Sequence, residues 1–372
     1  MLVRRPSVGA APDIPDDPAL PALAAIRTAG LAAAIPSLGL KGGPVELLLR
    51  GYTRGSRATF EARVGQRRFA VKAYADDPTP EAELYDALAA AGLAGEAGAR
   101  VPPLLAWERD LRVLVIGWLE GPTANELVKR GEGSRAGELA AQWLQRASAA
   151  AIPLGPVLSS TDLLRRAARW TMGLRAADPV LGAAAGVVAG LLALTEPEPR
   201  VRAAPGRLAT LVETARDRTR EWLAGVRAAD PALRFVASAL PSRPARTRAK
   251  QSAPVLVHGT LYARHLLDVG DAPGVIDWQR FAQGPVELDA GTFLATIWRI
   301  GLRDERLARE AARAEEAFLA GTAGLVNSRG LAWYRAAVLL RLANKQARRR
   351  QGSLAHGHAL LAEAVRQAEA AG

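Results

Sequence analysis

The sequence predicts an α+β fold in which a small β-rich lobe is followed by a large, mainly helical lobe. Short strand-like runs fill residues 45–116, whereas Ala-rich helical periodicity dominates after Gly121. Strand patterns return only briefly, at residues 255–257 and in a hairpin pattern over 266–276. With 372 residues, 49% of them hydrophobic, the chain is long enough to bury a large core.

The β-rich lobe is predicted to be a five-stranded antiparallel sheet with one helix inserted after the third strand. The strand patterns cover residues 45–49, 58–64, 68–74, 101–107 and 112–116. The second and third patterns alternate on either side of a Gly-containing turn, which is typical of a hairpin. The inserted helix begins near Pro80 and ends at Gly92, because proline suits a first helical turn and glycine a helix end.

The chain is therefore expected to have three parts: an N-terminal extension (1–44), the β-rich lobe (45–117) and the helical lobe (118–372). The extension is Pro-rich and carries one helical pattern over 20–34. Helical patterns in the large lobe cover residues 125–150, 162–174, 180–194, 207–226 and the whole chain beyond 292. The stretch 241–252 has four basic residues and no acid, which predicts an exposed loop.

Composition excludes several classes of protein. The chain has no cysteine, so disulfides and thiolate chemistry are excluded, and this fits a reducing compartment. The longest apolar run, 180–194, is shorter than the roughly 18 residues that a membrane span needs, and no signal peptide is visible, so we expect a cytoplasmic protein. The net charge is +12, but the arginines are scattered and not interleaved with aromatic residues, so no nucleic-acid partner is predicted.

Lys72 is a candidate for binding phosphate oxygens. It alternates with the apolar residues of the strand pattern 68–74, so its side chain points away from their face. In the following helix Glu81 shares a face with apolar residues and is the expected partner of Lys72, with Glu83 as the second choice. The ordinary alternatives are an exposed strand lysine and two first-turn acids that complement the helix dipole.

Two loops could hold phosphates or a metal ion. Gly51, Gly55 and Ser56 lie between the first two strand patterns, where backbone N–H groups could approach phosphates or simply form a turn. Asp277 directly follows a strand pattern and is expected next to a loop that carries His258, a candidate catalytic residue. A carboxylate in this position suits Mg²⁺, and the alternative is an aspartate that caps a turn.

Seven segments resemble, in the right order, the aminoglycoside phosphotransferase and choline-kinase-like family of protein-kinase-like proteins. They are AVK (70–72), EAELYDALAAAGL (81–93), VPPLLAW (101–107), VLVIGWLEGPTANEL (113–127), HGTLYARHLL (258–267), VIDW (275–278) and GPVELDAG (284–291). Each motif is weak alone, but the shared order over roughly residues 45–295 makes the resemblance specific. It implies a two-lobed protein-kinase-like fold.

The resemblance also implies a nucleoside triphosphate such as ATP and Mg²⁺ as cofactors. Lys72, held by Glu81, would bind the α- and β-phosphates. Asp277 would hold the metal ion and Asp289 would support the catalytic loop. The hinge against the base would be formed by Gly117, Trp118 and Leu119.

Two positions depart from the family pattern. Thr260 stands where the family has the aspartate that accepts the proton of the acceptor hydroxyl, and a threonine cannot act as a base near neutral pH. His265 stands where the family has a metal-binding asparagine, although the loop HGTLYARH also resembles that of lipopolysaccharide core sugar kinases. Arg264 and Arg280 flank the loop and could hold a γ-phosphate or an anionic substrate, or be exposed to solvent.

Two functions follow from this pattern. The first is an ATP-dependent phosphotransferase acting on a hydroxyl of a small molecule or sugar, weakened by Thr260, because general-base catalysis is typically worth ~10²–10⁴-fold. The second is a pseudokinase that binds nucleotide or acts as a scaffold without transfer. The net positive charge favours a neutral or anionic acceptor over a polycationic one.

Overall fold

The structure, a computed structural model, describes residues 14–40, 44–197, 254–348 and 354–372. The predicted helix over 207–226 and the predicted basic loop 241–252 lie outside these residues.

The chain divides into two compact units. The first comprises Met1–Gly121 and Val269–Gln279, and the second comprises Pro122–Asp268 and Arg280–Gly372. The expected division placed residues 269–279 with the helical lobe, whereas their contacts group them with the first unit. Asp277 therefore belongs with Lys72, and the HGT loop belongs with the helices.

The first unit contains the predicted five-stranded antiparallel sheet. Its strands are β1 (Glu46–Thr53), β2 (Arg57–Val64), β3 (Arg67–Tyr74), β4 (Leu104–Glu108) and β5 (Val113–Gly117). Their spatial order is β1-β2-β3-β5-β4, so β3 lies at the centre between β2 and β5. In this register Lys72 lies opposite Thr59 of β2 and Leu114 of β5. The α+β class and the antiparallel sheet are confirmed.

The helices of the first unit are α1 (Pro21–Ala29), α2 (Leu31–Ala34) and α3 (Thr79–Ala90). The single helical pattern predicted over 20–34 is interrupted at Gly30, whose φ of 78° is not helical. Helix α3 follows β3 directly, as predicted for the inserted helix.

The two faces of the sheet are covered by different segments. One face packs Phe60, Phe69 and Val71 into a buried cluster with Leu23 and Ile26 of α1. The opposite face carries Lys72 and Tyr74 of β3 beside the buried residues Ala82, Leu84 and Tyr85 of α3. The alternation of β3 therefore separates an apolar face from a face that bears polar groups.

The second unit is mainly helical. Its helices are α4 (Ala124–Lys129), α5 (Gly133–Ala149), α6 (Ser160–Ala177), α7 (Pro179–Leu194), α8 (Val286–Arg303), α9 (Ala308–Gly321), α10 (Ser328–Ala347) and α11 (Leu354–Ala370). The pattern predicted as one helix over 125–150 is two helices, because Gly131 adopts a φ of 84° between them. Capping boxes start α4 at Thr123 and α6 at Ser159, where each side chain accepts a backbone N–H of the first turn.

Helix α10 lies at the centre of the second unit. Its buried residues, among them Trp333, Leu339 and Leu340, pack in one core with residues of α6, α7 and α11. The predicted strand Val255–Val257 pairs antiparallel with a second strand, Ala282–Gly284. The second strand was not predicted, because three residues are too few to show an alternating pattern. This short pair lies at the start of the HGT loop and ties it to the segment that precedes α8. Within the described part of the chain, no helix has the length and apolar character needed to cross a membrane.

Candidate active site

A buried ion pair joins β3 to α3 in the first unit. The Lys72 Nζ lies 2.5 Å from Glu81 Oε1, and both side chains are only 6% exposed. Of the two candidate acids in α3, Glu81 faces the sheet, because helical spacing puts it with the buried residues Leu84, Tyr85 and Leu88. Glu83 is exposed. The local pattern of the strand and of the helix therefore brings these two charges together.

Tyr74 completes this polar group, and the sequence had not marked it. Its hydroxyl donates to Glu81 Oε2 at 2.8 Å, while Gln279 Nε2 donates to the same hydroxyl at 3.4 Å. The signal was available, because Tyr74 lies two residues after Lys72 and therefore on the same face of β3. Both oxygens of Glu81 thus accept a hydrogen bond, which holds the carboxylate in one orientation.

The electrostatics of this group favour a charged Lys72. Burial lowers the pKa of the Lys72 ammonium, but the negative charges of Glu81 and Asp277 and the hydrogen bond to Glu81 outweigh it and raise the pKa above its ordinary value. Lys72 is therefore protonated across the physiological range. An ammonium fixed beside carboxylates of two different segments is suited to hold a phosphate oxygen.

Asp277 has an unusual backbone conformation. Its φ is 71°, in the left-handed region that a residue other than glycine rarely adopts, although Asp and Asn tolerate it best. The strand that precedes it, Pro273–Val275, is fixed by Val275, whose N–H donates to the Arg100 carbonyl at 3.0 Å, and by Arg100, whose N–H donates to the Pro273 carbonyl at 3.0 Å. Such a conformation is common at functional sites, where it aims one side chain.

The hinge predicted from the resemblance follows β5. Gly117 closes this strand and donates its N–H to the Pro103 carbonyl at 2.8 Å. A Cβ at Gly117 would come within 2.7 Å of the Pro103 ring, so glycine is required there. The next residue, Trp118, is covered by the Arg68 guanidinium at 4.3 Å from its ring centroid. Leu119 is partly buried.

The glycine-containing loop is shorter than expected. Strand β1 continues through Gly51 to Thr53, so the turn itself contains Arg54, Gly55 and Ser56. Gly55 has a φ of 65°, which explains the glycine. Its N–H donates to Asp17 Oδ2 at 2.7 Å, and this carboxylate also accepts the Tyr52 hydroxyl. A side chain of the N-terminal extension therefore holds the N–H group of this turn.

In the second unit, Asp289 supports the HGT loop. Its Oδ2 accepts the His258 N–H at 2.6 Å and its Oδ1 accepts the Gly259 N–H at 2.9 Å. Burial raises the pKa of this carboxyl to about 7, although the backbone N–H groups of His258, Gly259 and Leu261 act in the opposite direction. Asp289 lies in the first turn of α8, so the helix places the carboxyl under the loop.

The loop is tightly held around Thr260. Gly259 has a φ of 72°, and a Cβ there would lie 2.1 Å from the Arg280 carbonyl oxygen. Thr260 is buried, donates its N–H to His258 Nδ1 at 3.3 Å, and places its hydroxyl oxygen 3.4 Å from the same atom. The backbone and side chain of Thr260 are therefore held in place, but this position carries a hydroxyl and no carboxylate.

His265 lies at the far end of the same loop. Its Nδ1 lies 2.9 Å from the Thr260 carbonyl oxygen. A carbonyl can only accept, so Nδ1 carries the proton and any metal coordination by a neutral ring would use Nε2. The ring also lies against Tyr262, with centroids 5.2 Å apart. Arg264 stacks over the Tyr262 ring, with its guanidinium carbon 4.4 Å from the ring centroid.

The described residues contain no group of three or more His, Asp or Glu side chains arranged to hold a metal ion. Asp277 nevertheless fits a Mg²⁺ ion of the kind found with nucleotides, because that ion takes one or two carboxylates and completes its shell with phosphate oxygens and water.

Comparison with known proteins agrees with this geometry. The family model described as the phosphotransferase enzyme family, APH, matches residues 49–325. No curated protein sequence matches the chain. A ternary complex of a thermostable mutant (N203A) of aminoglycoside phosphotransferase APH(4)-Ia with AMP-PNP and hygromycin B aligns with a TM-score of 0.53 and 15% identity. That alignment covers 91% of this chain and 98% of the other.

Two further structures are similar. The apo form of the thermostable APH(4)-Ia has a TM-score of 0.52 at 14% identity, and the alignment covers 87% of this chain and 94% of that one. A choline/ethanolamine kinase family protein from Mesorhizobium loti has a TM-score of 0.49 at 16% identity, with 92% and 96% covered.

A lysine on the central strand with a helix carboxylate, and a His-Gly loop supported by an aspartate, define the class of protein-kinase-like folds. Within that class, the family match over residues 49–325 covers most of the chain. The protein belongs to the APH phosphotransferase enzyme family.

Proposed function

We propose that the protein is an ATP-dependent phosphotransferase that acts on a hydroxyl of a small molecule, at a rate reduced by Thr260. The buried pair of Lys72 and Glu81 carries this proposal. Removing two charges from water costs several kcal/mol per ion, so a buried pair is weak evidence of a contribution to stability. The presence of this pair near Asp277 is explained by a phosphate ligand that uses the ammonium.

The nucleotide is the part of the proposal with most support. In the crystal structures of APH(4)-Ia mutants, AMP-PNP or ADP is bound together with hygromycin B. In this chain Lys72 would hold the phosphates and Gly117–Leu119 would face the base. For Mg²⁺, Asp277 would supply a carboxylate. The bound ion would neutralise charge on the phosphates. A cytoplasmic setting is proposed with it, since a chain without cysteine fits a reducing compartment.

Thr260 then sets the rate. Its hydroxyl can orient an acceptor hydroxyl by a hydrogen bond, but it cannot remove a proton near neutral pH. Phosphoryl transfer passes through a loose transition state that depends mainly on positioning and on charge neutralisation. We therefore expect slow turnover, because the loss of a general base costs ~10²–10⁴-fold.

A pseudokinase is the second candidate, and the same residue favours it. In that case the protein binds nucleotide through Lys72 and transfers nothing. The two candidates agree on binding and differ only on turnover.

The decisive experiment measures both properties. Melting temperature is measured with and without ATP and Mg²⁺, and ADP formation is measured on the same protein and on Asp277→Asn. Asparagine is used because it tolerates the left-handed conformation of Asp277, so the variant removes the charge and keeps the backbone. Turnover that Asp277→Asn abolishes supports the transferase. A thermal shift without any turnover supports the pseudokinase, and the absence of a shift contradicts both.

A further inference from the structure

A polar pocket of about 350 Å³ opens in the second unit beside the HGT loop. Three segments contribute its basic side chains. Tyr262, Ala263 and Arg264 of the loop form one wall, and helices α8 and α10 form the others. Its basic lining residues are Arg264, Arg299, Arg303 and Lys345. Among the described residues that line it, none is Asp or Glu. The volume is in the range of small-molecule sites.

The cations gather around one aromatic ring. Tyr262 is buried, and three cations lie over its ring: Arg264 at 4.4 Å from the centroid, Lys345 at 5.3 Å and Arg341 at 5.8 Å. Lys345 also donates to the Tyr262 hydroxyl at 3.3 Å. The ring therefore lies among three positively charged side chains.

The positive charge continues past the pocket. Desolvation lowers the pKa of the Arg166 guanidinium on α6, and the neighbouring charges of Arg341 and Arg280 lower it further. Desolvation also lowers the pKa of Lys345, opposed by Tyr262, and the charges of Arg341 and Arg264 lower it further. Like charges held this close raise the free energy of the empty site. An anion bound among them would remove that cost.

The chemistry of the cations indicates the kind of anion. Three of the four basic lining residues are arginines, and a guanidinium matches the two oxygens of a phosphate or a carboxylate in a bidentate arrangement. The loop that contributes Tyr262 and Arg264 also contains Thr260. A ligand bound in this pocket would therefore lie beside the loop in which the family has its catalytic base.

We propose that this pocket binds the phosphate or carboxylate group of the hydroxylated acceptor, so that the protein takes anionic substrates and excludes polycationic ones. The inference rests on the phosphotransferase function proposed above, whose acceptor it specifies.

The first test measures equilibrium binding without nucleotide at physiological salt. The probes are glycerol 3-phosphate, glycerate, glycerol and hygromycin B. We expect saturable binding of glycerol 3-phosphate or glycerate, weaker at higher salt, and the tighter of the two identifies the anion. Glycerol should bind at least tenfold more weakly. Equal binding of glycerol, or tighter binding of hygromycin B, would overturn the proposal.

Two variants locate the site. Arg299→Gln on α8 and Lys345→Gln on α10 should each weaken binding of the anionic probe about tenfold or more, since a charge-assisted hydrogen bond is lost. Arg309→Gln removes an exposed charge of α9 outside the pocket and is the matched control, with binding expected within about twofold of the wild type. An equal loss in all three variants would show a general charge effect and contradict the site. The melting temperature of each variant without ligand checks that it is folded.

The outcomes separate this inference from the proposed function. Arg299→Gln should keep the thermal shift with ATP and Mg²⁺, because Lys72 and Asp277 are unchanged. Binding of the anion without phosphoryl transfer supports the pocket and contradicts the transferase. Transfer to glycerol without any binding of the anionic probes supports the transferase and overturns the pocket.

Discussion

The first unit balances its buried charges, whereas the second gathers cations beside a loop that lacks a carboxylate. Lys72 meets Glu81 at 2.5 Å, and Tyr74 satisfies the second oxygen of that carboxylate. Around Tyr262, by contrast, Arg264 and Lys345 lie over one ring. The difference is that the first unit pairs the buried Lys72 one to one with Glu81, whereas the second places several cations around one aromatic ring.

The largest expected effect comes from returning a carboxylate to the loop. Thr260→Asp should raise ADP formation by ~10²–10⁴-fold with an acceptor present, because it supplies the general base. Thr260→Asn, which has similar size but no charge, is the control and should give no gain. The measurement is steady-state ADP release. If both variants fold and Thr260→Asp gains nothing, the second unit has lost more than its base.

The balance of the first unit can be broken from one side. Lys72→Met should lower the free energy of unfolding by about 3–5 kcal/mol, because Glu81 remains buried without its cation. Lys72→Met with Glu81→Gln should recover part of that loss, while binding of ATP is absent from both. Urea unfolding gives the free energies, and Arg67→Ala, an exposed position on the same strand, is the control. If the Lys72→Met variant were as stable as the wild type, the pair of Lys72 and Glu81 would not be buried.

Asp289 gives the second unit a pH dependence of known sign. Its pKa is about 7 in the folded protein and 3.8 in the unfolded chain, so the folded state binds more protons between these values. Stability from this group therefore falls as pH rises from about 4 to about 7. Asp289→Asn lacks this change. The free energy of unfolding of both proteins at pH 5 and pH 8 tests it, and parallel changes in the two would contradict it.

The smallest effect sharpens the description of the first unit. Tyr74→Phe removes one hydrogen bond to Glu81 and should lower the free energy of unfolding, measured with urea, by about 1.5 kcal/mol. This is the low end of the range for a hydrogen bond to a charged acceptor, because Lys72 still holds the carboxylate. Its effect on binding of ATP should be smaller than that of Lys72→Met. A larger loss would mean that Tyr74, and not Lys72, fixes the orientation of Glu81.

Features of the structure that depend on a few neighbouring residues could be predicted from the sequence. Alternation placed Lys72 on the polar face of β3, and helical spacing selected Glu81 over Glu83, since both rules act within a few residues. The number of strands and the place of the helix after the third strand followed from the order of strand and helix patterns. The resemblance supplied the family, which composition and spacing alone could not.

What could not be predicted depends on distant segments. The cations over Tyr262 come from the loop and from α10, which are far apart in the sequence. Tyr262 and Lys345, for example, are separated by 83 positions. Each of these residues alone looks like a solvated charge. The contact of Asp17 with Gly55 is of the same kind, because nothing near either residue indicates the other.

The helix α1 has a consequence for how the protein can be shortened. The family match begins at residue 49, yet Leu23 and Ile26 of α1 cover Phe60, Phe69 and Val71 of the sheet. A fragment trimmed to residues 49–325 would expose this apolar face and also lose α10 and α11, which pack in the core of the second unit. We therefore expect that fragments for expression fold only if they begin upstream of Asp17 and continue beyond residue 325.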